Sequence, residues 1–457
     1  MDNLSKDLCD SDLTNLPELC MYKNLKILEC SHNMLTSIDN LPSNLEKLDC
    51  SENDITSLDN LPPNLKELDC SQNVITSLDN LPPNLEKLNC SQNRITSLDN
   101  LPPNLEKLNC SQNKLTSLDN LPPNLKDLDC SRNNLNSLDN LPPNLEYLEC
   151  DENKIDINID NLPDSIKSIH LQWNTINIIN KFPSNLEKIV CRCCKVTKID
   201  NLPKNISCMD FSNNKLSVFP RSLPYTNIDN NNLYELQLSY NKITELDYLP
   251  VNLGILWCSG NNISSLDNLP INLIELFCTN NPISSLDKLP STLQILFCDK
   301  TNVKQLDNLP NTLKTLNCSE NNIDHLDRLP NNLDELTCNK CKLQNLDNLP
   351  KTLKALYCFD NKIKTIKNMP LVLNILICSN NQITEFTNLP LNVNSHNFNV
   401  SDNPLIYKFK PTFENIQGYI LCNIQKYNKN KNTITNKNTI TNTNKNTDKK
   451  HKNKNKN

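Results

Sequence analysis

The sequence predicts a solenoid of the α/β superfold class that is dominated by β-structure. It consists of a parallel concave sheet of about 19 strands and a convex side of extended or 3₁₀ backbone. Three observations predict this fold. One 20-residue unit recurs nineteen times along the chain, and most units end in a proline-containing segment. Alanine, the best helix former, occurs only at position 355, which argues against a large helical bundle.

The repeat is clearest in two adjacent segments. Residues 85–104 read LEKLNCSQNRITSLDNLPPN, and residues 105–124 differ from them at only two positions. The unit is L-x-x-L-x-C-x-x-N-x-I/L-x-x-L-D-N-L-P-x-N, with positions numbered 1 to 20 from the first leucine. A fixed period of this length indicates a solenoid, in which each unit buries its apolar residues against its neighbours. The units begin at Leu25, Leu45, Leu65, Leu85, Leu105, Leu125, Leu145, Ile166, Leu186, Ile206, Leu233, Leu253, Leu273, Leu293, Leu313, Leu333, Leu353, Leu373 and Ser395.

The first half of each unit predicts a short strand. In residues 47–51, alternation along the strand places Leu48 and Cys50 inward and the other three side chains outward. Asn53, at position 9, is also predicted to face inward, where its buried amide must hydrogen-bond to the backbone. Stacked over nineteen units, this position predicts an asparagine ladder.

The second half of each unit returns the chain along the convex side. Ile55, Leu58 and Leu61 are predicted to continue the core there. The following Pro62 and Pro63 predict an extended segment, because proline fixes φ and cannot sustain a helix.

The end of the repeat pattern divides the chain into four segments. Residues 1–24 are predicted to be an N-terminal half-repeat cap, residues 25–406 the solenoid, and residues 407–427 a C-terminal cap segment with a short helix. Residues 428–457 hold nine Lys and a single acid among Asn and Thr, so they cannot bury a core and are predicted to be disordered. The net charge of −6 is therefore an average over an acidic body and a basic tail.

Composition argues against several function classes. Only 3 Gly are present and they are scattered, whereas a phosphate-cradling loop needs clustered glycines. No apolar stretch approaches the ~20 residues of a membrane span, and the N-terminal residues lack the basic start and apolar run of a signal peptide. We therefore expect an intracellular location and no membrane partner. A nucleic-acid partner is not expected either: the basic tail could make weak contacts, but it lacks arginine and aromatic residues.

The first eleven positions match the pattern L-x-x-L-x-L-x-x-N/C-x-L, with Cys in the third apolar place. On this pattern the chain resembles the leucine-rich-repeat superfamily over roughly residues 8–405. The 20-residue unit with L-P-x-x-L on its convex side is similar to the short repeats of bacterial type III effectors. The Asn-, Lys- and Ile-rich composition resembles leucine-rich-repeat proteins of giant DNA viruses of amoebae. The resemblance implies an LRR solenoid that binds a protein of unknown identity on its concave sheet, in the host cytoplasm if the chain is viral.

The 22 cysteines are placed for packing rather than for chemistry. Fifteen occupy the third apolar place, where a buried free thiol behaves as a small apolar side chain, and parallel in-register strands rarely offer disulfide geometry. Two C-x-x-C spacings, Cys191/Cys194 and Cys338/Cys341, put the second cysteine at the ladder position, so no metal site is predicted. A fortuitous metal site around Cys193 is the alternative. The fifteen are Cys30, Cys50, Cys70, Cys90, Cys110, Cys130, Cys150, Cys191, Cys258, Cys278, Cys298, Cys318, Cys338, Cys358 and Cys378.

Aspartate is frequent at position 15, as in Asp59. We expect it to cap the local turn, because Asp side chains accept hydrogen bonds from backbone amides two residues on. Cation sites between neighbouring coils are the alternative.

No catalytic group is predicted. The five His are scattered between the repeats, so they do not form a Cys/His or Ser/His arrangement. The effectors that the chain resembles often add a ubiquitin-ligase domain with a Cys-x-Asp loop. Cys208-Met209-Asp210 matches those letters, but it lies on a predicted repeat strand. We therefore expect no enzyme activity and no cofactor.

The outward strand positions carry the functional information, because the framework positions are fixed by the fold. Position 5 is acidic or polar in the early units and becomes aromatic in three successive later units. A contiguous exposed apolar patch marks an interaction site, and Trp is enriched among energetic hot spots. The predicted partner-binding residues are Ile255, Trp257, Phe277, Ile295, Phe297 and Tyr357.

These observations predict a non-enzymatic protein that mediates protein–protein interaction through its concave face, with a host factor as partner if the chain is viral. The alternative function is a structural or surface spacer. For the aromatic patch itself, two further roles stay open. One is a cross-strand ladder that stabilises the fold, and the other is a surface that the chain's own C-terminal segment covers.

Overall fold

A computed structural model describes residues 4–19, 21–156, 159–200, 202–219, 232–326, 328–390, 392–393 and 395–425. The chain divides into two compact units, Met1–Pro282 and Ile283–Asn457. The predicted disordered tail lies outside the described residues.

The first unit is a parallel sheet to which each repeat contributes one short strand. Neighbouring strands pair in register, as Leu48 does with Leu68 and Leu68 with Leu88. This register follows from the constant period, because each coil returns the chain to the same place. The strands are β1 (Ser5–Asp7), β2 (Ile27–Glu29), β3 (Lys47–Asp49), β4 (Glu67–Asp69), β5 (Lys87–Asn89), β6 (Lys107–Asn109), β7 (Asp127–Asp129), β8 (Tyr147–Glu149), β9 (Ser168–His170), β11 (Lys188–Val190), β13 (Cys208–Asp210), β14 (Glu235–Gln237), β15 (Ile255–Trp257) and β16 (Glu275–Phe277), with β10 (Ile178–Ile179) and β12 (Lys198–Ile199) pairing on the return side.

The second unit repeats this arrangement and ends in a helix. Its helix α1 spans residues 413–425. The Phe413 ring of this helix is buried and meets Phe398 edge-on, with ring centroids 5.5 Å apart, so the helix packs on the last coil. The strands are β17 (Ile295–Phe297), β18 (Thr315–Asn317), β19 (Glu335–Thr337), β21 (Ala355–Tyr357), β23 (Ile375–Ile377) and β24 (Phe398–Asn399), with β20 (Asn345–Leu346) and β22 (Thr365–Ile366) on the return side.

The return side is almost free of regular helix, as the sequence predicts. Two short 3₁₀ segments, Ile159–Asn161 and Ser395–Asn397, are the helical turns of the repeats within the described residues. Helix α1 is too short to cross a bilayer, and no other helix of the described chain reaches that length.

The core of a coil contains most of the predicted residues and one that was not predicted. Leu48, Ile55 and Leu58 are buried, but Leu61 is only half-buried and Pro62 takes the inward place. The preceding residue, Asn60, has a φ of 63°. This left-handed residue, which Asn tolerates better than most residues, interrupts the extended alternation, so the inward position moves from Leu61 to Pro62.

The predicted asparagine ladder is present and joins neighbouring coils. The side-chain amide of Asn93 donates to the carbonyl of Cys90 in its own coil (3.1 Å) and of Cys70 in the preceding coil (3.0 Å). Its side-chain oxygen accepts the backbone N–H of Ile75 at 2.9 Å. One buried side chain therefore satisfies backbone groups of two coils that water cannot reach.

Two further ladders on the return side were not predicted. At position 20, the Asn84 amide donates to the carbonyl of Pro63 in the preceding coil at 3.2 Å. At position 16, the Asn80 amide donates to the Asp59 carboxylate at 3.3 Å, and the Ser57 hydroxyl donates to the same carboxylate at 2.6 Å. Both hydrogen bonds hold the pKa of Asp59 below its usual value.

The expectation that Asp59 caps its own turn was therefore wrong. The hydroxyl of Ser57 accepts the Asp59 backbone N–H at 3.2 Å, so serine caps the turn. The carboxylate is left to bridge to the next coil through Asn80. In the sequence unit, Ser comes two residues before Asp, and Asn comes directly after it. The serine hydroxyl therefore caps the turn, and the aspartate carboxylate is free to accept the asparagine amide of the next coil.

The cysteines of position 6 are buried free thiols. In several coils the thiol donates to a carbonyl of the next coil, as Cys50 does to Asp69 at 3.4 Å. Burial raises the pKa of Cys30 and of Cys258 to about 12. Stability from these protonated thiols is fully present below the ordinary thiol pKa of roughly 8.5. It is lost as the pH rises towards about 12.

Replacing a position-9 asparagine should cost far more stability than replacing a position-20 asparagine. Asn93→Ala leaves several buried backbone groups without a partner, and we expect it to lower the free energy of unfolding by about 3 kcal/mol or more. Asn104→Ala removes one exposed hydrogen bond to Pro83 and should cost less than about 1 kcal/mol. Urea unfolding followed by circular dichroism measures both, and equal losses would contradict the ladder's role.

Thiol labelling should separate the buried column from exposed cysteine. In the native chain at pH 8, iodoacetamide should modify Cys422, which is exposed, while Cys90 and Cys110, which are buried, stay unmodified. In denaturant all 22 cysteines should react. Peptide mass spectrometry reads each site, and native labelling of Cys90 as fast as Cys422 would show that the column is open to solvent.

Candidate protein-binding face

The candidate site lies on the sheet face, defined here as the side chains at positions 3, 5 and 7 on the outward side of the strands. In the early coils of the first unit this face is charged, and the charges at position 3 neutralise one another across strands. Lys87 pairs with Glu67 at 2.5 Å, and Lys107 pairs with Asp127 at 3.1 Å. These exposed pairs add little stability, but they compensate the position-3 charges of β4 to β7.

The sheet face becomes aromatic at the end of the first unit. Trp257 on β15 and Phe277 on β16 are register partners, and their rings stack with centroids 3.7 Å apart and planes 11° from parallel. Trp257 remains 37% exposed, and its indole N–H has no acceptor among the described residues. Ile255, two residues earlier on the same strand, is half-buried. The structure thus brings together three of the predicted binding residues.

Two tyrosines that the sequence analysis did not select flank the Trp257 strand. The Tyr234 ring lies over the backbone at Gly254, where an added Cβ would come within 2.2 Å of the ring. The Tyr240 ring lies over Gly260, which has a φ of +66°. Only 3 Gly occur in the chain, and two of them make room for these rings. The placement of the scarce glycines was the sequence signal that could have identified the tyrosines.

A buried carboxylate and an arginine lie on the sheet face next to this region. The Asp210 side chain is only 3% exposed and forms an ion pair with the guanidinium Nε of Arg192. The same guanidinium donates from Nη2 to the Gln237 side-chain oxygen at 3.1 Å. Gln237 is the register partner of Trp257, so the arginine reaches the strand beside the aromatic stack.

Further carboxylates make the middle of this sheet face acidic. Burial raises the pKa of Glu149, and the nearby Asp129 carboxylate raises it further. Burial also raises the pKa of Asp151, against hydrogen bonds from Gln172 that lower it. Neither Glu149 nor Asp151 has an ion pair with Lys or Arg within the described parts of the chain, so this surface carries uncompensated negative charge.

Comparison with known proteins identifies the family. A family model for leucine-rich repeats in two copies matches residues 43–83 and 83–123. YopM from Yersinia enterocolitica WA-314 is 32% identical, with a TM-score of 0.73 over 85% of this chain and 90% of YopM. The chain belongs to the leucine-rich-repeat proteins with 20-residue repeats.

A second solved structure is also similar to the chain. The functional domain of InlJ from Listeria monocytogenes, which includes a cysteine ladder, is 27% identical, with a TM-score of 0.52 over 71% of this chain and 69% of that domain. No curated protein sequence matches the chain. Leucine-rich-repeat domains are in general surfaces for protein interaction, which directs attention to the sheet face.

The other predicted binding residues lie on the sheet face of the second unit. Ile295 and Phe297 share strand β17 and are both half-buried. Tyr357 is also half-buried, but strands β18 and β19 separate its strand from β17. Within this leucine-rich-repeat unit, Tyr357 therefore stands apart from Phe297.

Removing Arg192 should destabilise the first unit through Asp210. Arg192→Ala leaves a nearly fully buried carboxylate without its cation, which we expect to lower the free energy of unfolding by about 2–4 kcal/mol. The double variant Arg192→Ala with Asp210→Asn should recover much of this loss, because the buried charge is gone. Urea unfolding of the three proteins tests this, and a single variant as stable as the wild type would refute it.

Proposed function

We propose that this leucine-rich-repeat protein is a non-enzymatic scaffold that captures a protein partner on its sheet face, with the Trp257–Phe277 stack at the centre of the contact. The observation that carries the proposal is the 37% exposed indole of Trp257, which presents an aromatic surface and an N–H donor to solvent. Tryptophan, which combines a large aromatic surface with such a donor, is among the side chains enriched at binding hot spots.

The surroundings of the stack support a binding role over a purely stabilising one. A cross-strand aromatic pair stabilises a sheet without further help. Here Gly254 and Gly260 also lack a Cβ, which leaves room for the rings of Tyr234 and Tyr240 against the same coil. Tyr234 is 49% exposed and Tyr240 is 60% exposed, so these rings add aromatic surface that faces solvent and little buried core.

The same binding role is proposed for the predicted residues of the second unit, Ile295, Phe297 and Tyr357. The partner that we propose is a host-cell protein met inside the cell. This follows from the resemblance to leucine-rich-repeat proteins of giant DNA viruses of amoebae.

A spacer function is the second candidate, and one observation favours it for the early coils. Residues 45–150 repeat almost unchanged, and their position-3 charges pair with one another, as Lys87 does with Glu67. At position 3 these charges are neutralised by their own neighbours and offer little to a partner. In this second function the early coils hold the binding region at a distance.

Capture from amoeba lysate tests the binding role. The wild type and two variants serve as bait: Trp257→Ser with Phe277→Ser, and the control Ile271→Ser, which removes an apolar side chain that is 69% exposed at position 19, on the return side. We expect the double variant to fold, as circular dichroism would show. It should capture at least about tenfold less protein than the wild type, since a central Trp contributes about 2 kcal/mol or more to binding. The control should capture as the wild type does.

Two outcomes would contradict the proposal. Equal capture by the double variant would mean that the stack only stabilises the sheet. A wild type that captures nothing above a control without bait would favour the spacer function.

A further inference from the structure

We propose that the captured segment is basic, that one of its arginines stacks on Trp257 while it pairs with Glu235, and that a second basic residue of the segment pairs with Glu275. This inference rests on the proposed function and adds the chemistry of the partner. Three features of the sheet face carry it: two uncompensated carboxylates, an indole with one open face, and an internal arginine bound in the neighbouring coils.

The two carboxylates flank the hydrophobic strand at the same position. Glu235, Ile255 and Glu275 are register partners at position 3 of β14, β15 and β16. Parallel strands lie about 4.8 Å apart, so the two carboxylates stand about 10 Å from each other on either side of Ile255. Both glutamates are half-buried.

No cation of the described residues compensates either glutamate. Glu235 accepts a hydrogen bond from the Gln237 amide at 2.7 Å, and Glu275 has neither an ion pair nor a side-chain hydrogen bond there. This differs from position 3 in the early coils, where Glu67 and Asp127 each have a lysine in the adjacent strand. The repeat can therefore place a lysine at position 3 opposite a carboxylate, but the strands next to Trp257 have none there.

Trp257 offers the third contact. Phe277 covers one face of the indole, so a guanidinium from the partner would stack on the other face, on the side of Gln237. Arginine suits this site better than lysine because its planar guanidinium stacks on aromatic rings and binds carboxylates through two parallel hydrogen bonds. An apolar residue beside it in the segment would contact Ile255.

An arginine of this chain already binds across two strands of the same face. The Arg192 guanidinium crosses from Asp210 to Gln237, and so spans a carboxylate and an amide on adjacent strands. Gln237 in turn donates to Glu235. A second guanidinium, from the partner, would continue this row by one strand towards Trp257.

The charge of the face favours a basic segment as a whole. Asp129, Glu149 and Asp151 have no ion pair with Lys or Arg in the described parts of the chain, and the pKa values of Glu149 and Asp151 are raised by burial. Approach of a basic segment relieves this accumulated negative charge, and long-range attraction speeds its association.

Selection of peptides tests both the arginine and the surface. Phage-displayed random 12-residue peptides are selected on the full-length wild type, on Glu235→Gln with Glu275→Gln, and on Trp257→Ser with Phe277→Ser. We expect peptides from the wild type to be enriched in arginine next to an apolar residue. On the glutamine variant the arginine enrichment should disappear while apolar enrichment stays, and the serine variant should select neither.

The outcomes separate the two proposals. Wild-type peptides that are enriched in apolar residues without arginine would overturn the arginine inference and leave the proposed function standing. Identical selections on the wild type and on the serine variant would overturn both.

A synthetic peptide from the wild-type selection then measures the contact directly. In a Trp173→Phe background, Trp257 is the remaining tryptophan, and its fluorescence reports binding. Replacing the peptide arginine by citrulline, which keeps the shape and loses the charge, should weaken binding at least tenfold. Replacement by lysine should weaken it several-fold. Equal affinity of the arginine and citrulline peptides would overturn the arginine inference.

Discussion

The structure depends on one constraint: each coil must satisfy the buried backbone of its neighbour. The position-9 asparagine does this from a single side chain. Asn93 donates to carbonyls of two coils and accepts an N–H from the preceding one. An unsatisfied buried amide or carbonyl costs about 1–3 kcal/mol, so this bridge fixes how far apart and in which register successive coils stack. Strand pairing, the thiol column and the ladders of the return side all require that register.

This constraint leaves few positions free to vary, and we propose that function is expressed there. Positions 3 and 5 face solvent from a rigid sheet, so a change of side chain there alters the surface without altering the coil. The first unit uses this freedom in two ways. Its early coils pair Lys and Glu across strands, whereas its last coils present Trp257 and Phe277 beside glutamates that have no lysine opposite.

The aromatic region also shows how a repeat accommodates an exception. Gly254 and Gly260 interrupt the unit at positions 2 and 8, and each removes a Cβ that would meet a tyrosine ring of the preceding coil. At position 8 other residues also adopt positive φ, for example Gln92 at 54°, so conformation alone does not require Gly260. The Tyr240 ring leaves no room for a Cβ at position 260, and this explains the glycine there. The contact joins two coils, so a single unit does not reveal it.

The sequence by itself determined the repeat, the strand in each unit, the inward Leu and Cys, and the asparagine ladder. These features have a fixed period and a local physical cause, so they can be derived from one unit. It also selected Ile255, Trp257 and Phe277, because outward positions follow from strand alternation.

The tertiary structure decided what depends on contacts between coils. Pro62 rather than Leu61 faces the core because Asn60 is left-handed, and Asp59 bonds Asn80 of the next coil because Ser57 already caps its turn. The Tyr–Gly contacts, the Arg192–Asp210 pair and the missing lysines beside Glu235 and Glu275 are of the same kind. Residues 18 to 45 positions apart in the chain become neighbours only when the coils stack, and no pattern within one unit records which of them will meet.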